Sequence, residues 1–262
     1  MVAIYFGSRP LERFAPNGYN PESSKRERGV QVSKSHRLVP SYGVDKWKKP
    51  SGSLNKLNQF RIFESSLPHG IPMLDIYEGE IPKELSSWHS TAVKRSFKSV
   101  ENSFVHFFID DYYFESVWTS LKRLMTVSKG VRGVLGTSFS VYEAQPKAMN
   151  IWNVYRNRWV CKYLESQGVQ IIPAVVWADE STWDYCFEGI PYLSTVAVST
   201  VGTLRKDDRK LFCLGFEEML HRLNPKTLLV YGEFMPLAFD EYVDHVVYYP
   251  SEWAKKRERM AG

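Results

Sequence analysis

Carboxylates recur where apolar runs of this chain end. The stretch VHFFIDDYYFE (Val105–Glu115) passes straight from apolar residues into Asp110 and Asp111, Asp179 and Glu180 follow the run that closes on Trp177, and Glu233 follows LLVYG. Acidic groups on separate strand ends supply the oxygen ligands preferred by Mg²⁺ or Mn²⁺, and they can serve as an acid–base pair where their environments differ. Asp110 and Asp179 are therefore the candidate metal ligands, and these two with Glu180 are the catalytic candidates. Glu233 is a ligand-binding candidate. The competing reading is that such acids cap the following helix or brace a loop.

Alternation sorts the paired acids. In a strand over Val105–Ile109, Val105, Phe107 and Ile109 share one apolar face, and His106, Phe108 and Asp110 share the other. Asp110 is then expected to face a site, and Asp111 to turn away unless the strand has already ended, with a structural role. Ser199, opposite Val196 and Val198, is expected to share that interior, and Ser138 lies at another run's end. In IWNVYRNRW, Arg156 could grip a phosphate or carboxylate through two parallel hydrogen bonds, whereas Arg158 reads as part of a solvated face. His106 reads as a core histidine or a residue near the site, and Cys186 as a buried thiol. No HExxH, GxSxG, Walker loop or GxGxxG occurs.

The elements that must carry these residues repeat as strand then helix. Strands are expected at Met73–Tyr77, Val105–Ile109, Val131–Phe139, Val169–Trp177, Thr195–Thr200, Thr227–Tyr231 and His245–Tyr249. Helices are expected at Ser116–Ser128, from Pro146 to Gly168, and at Arg209–Leu223, the last stopped by Asn224–Pro225. This alternation predicts an α/β domain with a mostly parallel sheet, barrel-like in preference to an open doubly wound sheet. In both architectures, sites assemble at the carboxyl ends of strands.

Charge divides the chain differently. Residues 1–60 hold eleven Lys or Arg against four Asp or Glu, a net +7, whereas residues 61–262 are net −2. The first stretch is punctuated by Pro and Gly and reads as a basic arm preceding the α/β domain at 61–262. In VDKWKKPSGS, Trp47 beside Lys48 suits a stacked base next to a phosphate, so the arm could contact nucleic acid or another polyanion; a packed or solvated arm is the alternative. The three cysteines lack CxxC spacing, no apolar run approaches bilayer length, and the N-terminus lacks a signal-peptide pattern, so a cytoplasmic protein is expected.

FIDDYYFE, VLGTSFSVYEAQP, IWNVYRNRW, GVQIIPAVVWADESTWDYCFEGIP, VAVSTVG and LNPKTLLVYG, in this order over about Phe104–Gly232, resemble a domain-of-unknown-function family of bacteria and phages, number 4417. The family pattern has an acidic residue near the position of Ser138. The resemblance implies a phage or mobile-element setting and transfers no reaction. The combined expectation is a phage-type protein acting as a metal-assisted hydrolase or nuclease on a phosphate-containing or nucleic-acid substrate. The alternatives are a non-catalytic nucleic-acid or host-protein binding module, and a metal-independent small-molecule enzyme.

Overall fold

Among the described residues, seven short parallel strands follow one another in space as they do in sequence. The computed structural model describes residues 57–58, 61–89, 103–203, 205–232 and 245–261. Strands β1 (Leu85–Ser87), β2 (Phe104–His106), β3 (Gly133–Leu135) and β4 (Gln170–Ile172) form one parallel sheet, and β5 (Thr195–Ser199), β6 (Thr227–Gly232) and β7 (His245–Pro250) form a second. A parallel bridge between Ala174 and Ala197 carries the progression from β4 to β5. Val175 N–H donates to the Ala197 carbonyl at 2.9 Å, and Ala197 N–H to the Pro173 carbonyl at 2.8 Å. The order runs from β1 to β7 without the reversal found in a doubly wound sheet.

Parallel neighbours joined by right-handed crossovers set their helices on one face, leaving the other face to be covered by its own side chains. The packing has this form. Val105, Phe107, Val134 and Ile171 project outward against Val117, Trp118, Leu124, Trp159 and Leu164 from α1 (Ser116–Thr119), α2 (Leu121–Ser128) and α3 (Lys147–Glu165). Val196, Val198, Leu228 and Val230 meet Phe212, Phe216, Met219 and Leu220 of α5 (Lys206–Leu223); the short α4 (Trp183–Cys186) precedes β5. On the inner face, Leu85, Phe104, Leu135, Ile172, Ala197, Leu229 and Tyr249, one from each strand, belong to a single buried cluster. Phe104 can lie there because its partner across the ladder is Gly133, where a Cβ would fall 2.3 Å from the ring. β1 and β7 share no ladder among the described residues; the Tyr249 hydroxyl instead donates to the Pro82 carbonyl just before β1.

Expectation and structure part in two places. Met73–Tyr77 is not a strand. Leu74 N–H donates to the Gly189 carbonyl at 2.9 Å and Asp75 pairs with Lys162 at 2.7 Å, so this stretch runs along α3, and the edge strand is Leu85–Ser87. A C-terminal helix, α6 (Glu252–Ala261), extends beyond the last expected strand. The C-terminus of α5 is as expected: Asn224 adopts the left-handed conformation at φ 41°, with its N–H on the Leu220 carbonyl, and Pro225 follows. Among the described residues no helix is long and apolar enough to cross a membrane.

Candidate functional site

The chain leaving β2 turns within three residues. Ile109 N–H donates to the Phe107 carbonyl at 2.7 Å, the short ring of a γ-turn, and a 3₁₀ turn follows at Asp111–Tyr113. Alternation holds through Phe108: His106 and Phe108 lie inside against Tyr231, and Phe107 lies outside. The turn then ends it. Asp110 is exposed, and the carboxylate that is engaged belongs to Asp111, which accepts the Ser140 N–H at 3.0 Å and the Ser140 hydroxyl at 2.9 Å.

The segment after β3 is held from both sides. Ser138, buried, donates its hydroxyl to the Phe107 carbonyl at 2.7 Å, tying the ends of β2 and β3. From α3, Asn157 accepts the Phe139 N–H at 2.8 Å and returns an N–H to the Phe139 carbonyl at 3.1 Å. Asn153 donates to the Ser140 carbonyl at 2.7 Å, and Asn150 both accepts from Tyr142 N–H at 3.1 Å and donates to its carbonyl at 2.8 Å. Positions 150, 153 and 157 share one helix face, so their amides substitute for a neighbouring strand along this loop. Arg156 completes the brace. Its guanidinium lies 3.8 Å from the centre of the Phe139 ring and donates to Glu115 at 2.8 Å and to the Asn153 side-chain carbonyl at 2.6 Å. Burial lowers its pKa, opposed by the charges of Glu115 and Asp111.

This bracing leaves a set of large side chains in solvent: Tyr112 (69% exposed), Tyr142 (57%), Met149 (54%) and Trp152 (37%), with Tyr113 ringed against Tyr112. Asp110, Glu115 and Glu143 are exposed along the same two loops. None of these aromatics stood out in the sequence as a site. The recurrence of asparagine at 150, 153 and 157 was the legible signal that α3 braces a loop.

The remaining candidates are dispersed. Asp179 accepts the Ser181 hydroxyl at 2.9 Å and its carbonyl accepts Thr182 N–H at 2.9 Å, forming the turn that leads into Glu180, which is exposed. The Ser199 hydroxyl accepts Val201 N–H at 3.1 Å. Glu233, Trp47 and Lys48 lie outside the described residues. Among the described residues, no three His, Cys, Asp or Glu side chains gather as a metal-binding group.

Arg158 departs from its sequence reading, whereas His106 is the core histidine that was one of its two readings. Arg158, expected in solvent, is only 1% exposed, because the turn through Cys186–Gly189 folds over this face of α3. Its guanidinium donates to the carbonyls of Glu188, Ala174 and Cys186 at 3.0, 3.1 and 2.9 Å. His106 is fully buried; its Nδ1 accepts Phe108 N–H at 3.2 Å, which assigns the proton to Nε2, and Nε2 has no partner. Burial, with the charge of Lys255 adding to it, lowers the His106 pKa to about 3.

Cys161 and Cys186 are buried, and burial pushes both thiols up to about 12. A thiol reagent applied to the native protein is expected to modify Cys213 alone, with all three reacting in denaturant. Mass mapping checks this, and rapid native labelling of Cys186 would show that its surroundings open.

The model of the family described as Domain of unknown function (DUF4417) matches residues 63–250. The chain is 37% identical over 218 residues to the Gene 1 protein of Mycobacterium phage D29, which covers 82% of this chain and 79% of that protein. It is 38% identical over 213 residues to the Gene 1 protein of Mycobacterium phage L5, covering 81% and 92%. No solved structure matches.

Proposed function

Because the chain belongs to the DUF4417 family and resembles phage Gene 1 proteins over more than four-fifths of its length, we propose that it is a phage-type binding module that docks a protein partner, such as a host protein, on its strand-end face. One observation supports this reading above the others. Ser138, Asp111 and Ser140 at the ends of β2 and β3 are engaged in fixing two loops, while Tyr112, Tyr142 and Trp152 are left in solvent beside exposed carboxylates that include Asp110. Rigid tyrosine and tryptophan side chains that project from a braced backbone lose little entropy on contact, which is why such residues dominate binding energy at interfaces.

The test places a photo-crosslinking residue at Tyr142 and, separately, at exposed Leu214 on α5 during expression in the phage's host. A discrete adduct at position 142, lost in Trp152→Ser and absent at position 214, is the expected result. Identical adducts at both positions would sink the reading. In a reconstituted complex, Tyr112→Ala or Trp152→Ala is expected to weaken binding by about thirtyfold, the effect of removing one strong interface anchor.

The hydrolytic reading, with Mg²⁺ or Mn²⁺ on Asp110 and Asp179 and with Glu180 in acid–base work, rests on strand-end placement alone. Mn²⁺ affinity that falls by about tenfold in Asp110→Asn would bring it forward.

A further inference from the structure

We infer that the seam where α6 and β7 face the start of β1 binds the oligophosphate group of a phosphate-bearing small molecule. β1 and β7 share no ladder among the described residues, and the Tyr249 hydroxyl on the Pro82 carbonyl joins the two edges instead. Beside that bond lies a groove of about 610 Å³, within the size range of small-molecule sites. Lys83 and Glu84 ahead of β1 line one wall, and Pro250 of β7 with Lys255 and Arg259 of α6 line the other. Lys255 and Arg259 are four residues apart and so share a helix face.

Charge selects the ligand. Among the described residues, the side chains of Lys83, Lys255 and Arg259 have no hydrogen-bond or ion-pair partner, and Glu84 is the one carboxylate in the lining. Three cations against one carboxylate leave the described lining at +2, in a region, residues 61–262, that is net −2 as a whole. Lys255 is half-buried, and its charge is felt at the buried His106, where it adds to the lowering of that pKa. An ammonium partly withdrawn from water without a counter-charge is stabilised by an anion that enters beside it. A single carboxylate would leave two of the three cations unmatched. An oligophosphate carries several charges along a short chain and offers Arg259 paired oxygens for two parallel hydrogen bonds. These cations recognise phosphate alone, so whatever the phosphates are attached to contributes little. The groove is separate from the strand-end face and does not depend on the reading given for that face.

The experiment is isothermal titration calorimetry of the full chain, free of divalent metal, with inorganic tripolyphosphate and separately with adenosine triphosphate. The two are expected to bind within about threefold of each other, and both more weakly as salt rises. The pair Lys255→Glu/Arg259→Glu is expected to weaken tripolyphosphate binding by at least about tenfold, the loss of a charge-assisted hydrogen bond. Lys83→Glu, on the opposite wall, should repeat the effect, and Tyr142→Ser should have none. Glu84→Gln should tighten binding by about threefold, since it removes the carboxylate from the lining. Full affinity in the charge-reversal variants would overturn the proposal by assigning any binding to other basic residues such as those in 1–60. So would binding of adenosine triphosphate without tripolyphosphate, which would give recognition to the nucleoside, or no binding of either probe at millimolar concentration. Matching thermal melting of the unliganded variants excludes misfolding as the cause. Glu84→Gln keeps the test decisive should a charge reversal unfold the chain, because unchanged or weaker binding there overturns the proposal as well.

Discussion

Replacing Arg158 with alanine is expected to destabilise the protein by roughly 4 kcal/mol, combining the cavity left by a long side chain with buried carbonyls that lose their donor. The guanidinium joins two segments that are otherwise separate in the chain: Ala174 beyond β4, and the turn that carries Cys186 at the end of α4 and Glu188 just after it. Beside it, Gly189 takes φ 76°, and a Cβ there would fall 2.4 Å from the Pro72 carbonyl and 3.2 Å from the Arg158 side chain. The turn and the arginine are thus fitted to each other. Burial lowers the Arg158 pKa, with the nearby Cys161 and Cys186 opposing that shift. Arg158→Lys should recover only part of the loss, because a single ammonium cannot present a planar fork to carbonyls in three directions. Urea denaturation checks this through the midpoint at constant slope. If alanine and methionine variants both stay within about 1 kcal/mol of the parent, the three carbonyl bonds are not what holds this region together.

The second large effect is on acid stability. His106 has a folded pKa of about 3 against an ordinary value of 6.5. Between those values the unfolded chain binds a proton that the folded chain refuses, so stability rises with pH across this window and falls on acidification. The contribution is intact above pH 6.5 and is lost progressively as pH drops toward 3. It amounts to something on the order of 4 kcal/mol at the acid end. His106→Phe keeps a ring against Tyr231 and removes the titration. At pH 7 it should cost only about 1 kcal/mol for the lost Phe108 N–H acceptor, and it should flatten the acid limb of a stability-against-pH curve. An unchanged acid limb would assign the sensitivity to other groups.

The sequence revealed those parts of the fold that depend on local pattern. The near-continuous apolar runs at Thr195–Ser199 and Thr227–Gly232 are the doubly buried strands β5 and β6. The two faces of β2 followed from alternation as far as Phe108. Features made by distant residues were not legible. Leu85–Ser87 is a strand because Phe104–His106 lies beside it, although Leu-Ser-Ser carries little strand character of its own. Arg158 carries no local mark of burial, since its partners are backbone carbonyls and every residue has one. Asp111 has the structural role expected of it, but the γ-turn that aims it at Ser140 and leaves Asp110 exposed is a feature no periodicity reveals. The basic helix α6 was hidden by averaging charge over two hundred residues.

The asparagine brace has a consequence for how this protein tolerates change. Asn150 and Asn157 grip the loop through the main-chain N–H and C=O groups of Tyr142 and Phe139, and every amino acid except proline offers the same pair. The shape of the loop is therefore independent of the side chains displayed at Tyr142 and Glu143. The scaffold is written in α3 and the displayed chemistry in the loop, so a lineage of such proteins can exchange what it presents to a partner while the frame beneath stays fixed.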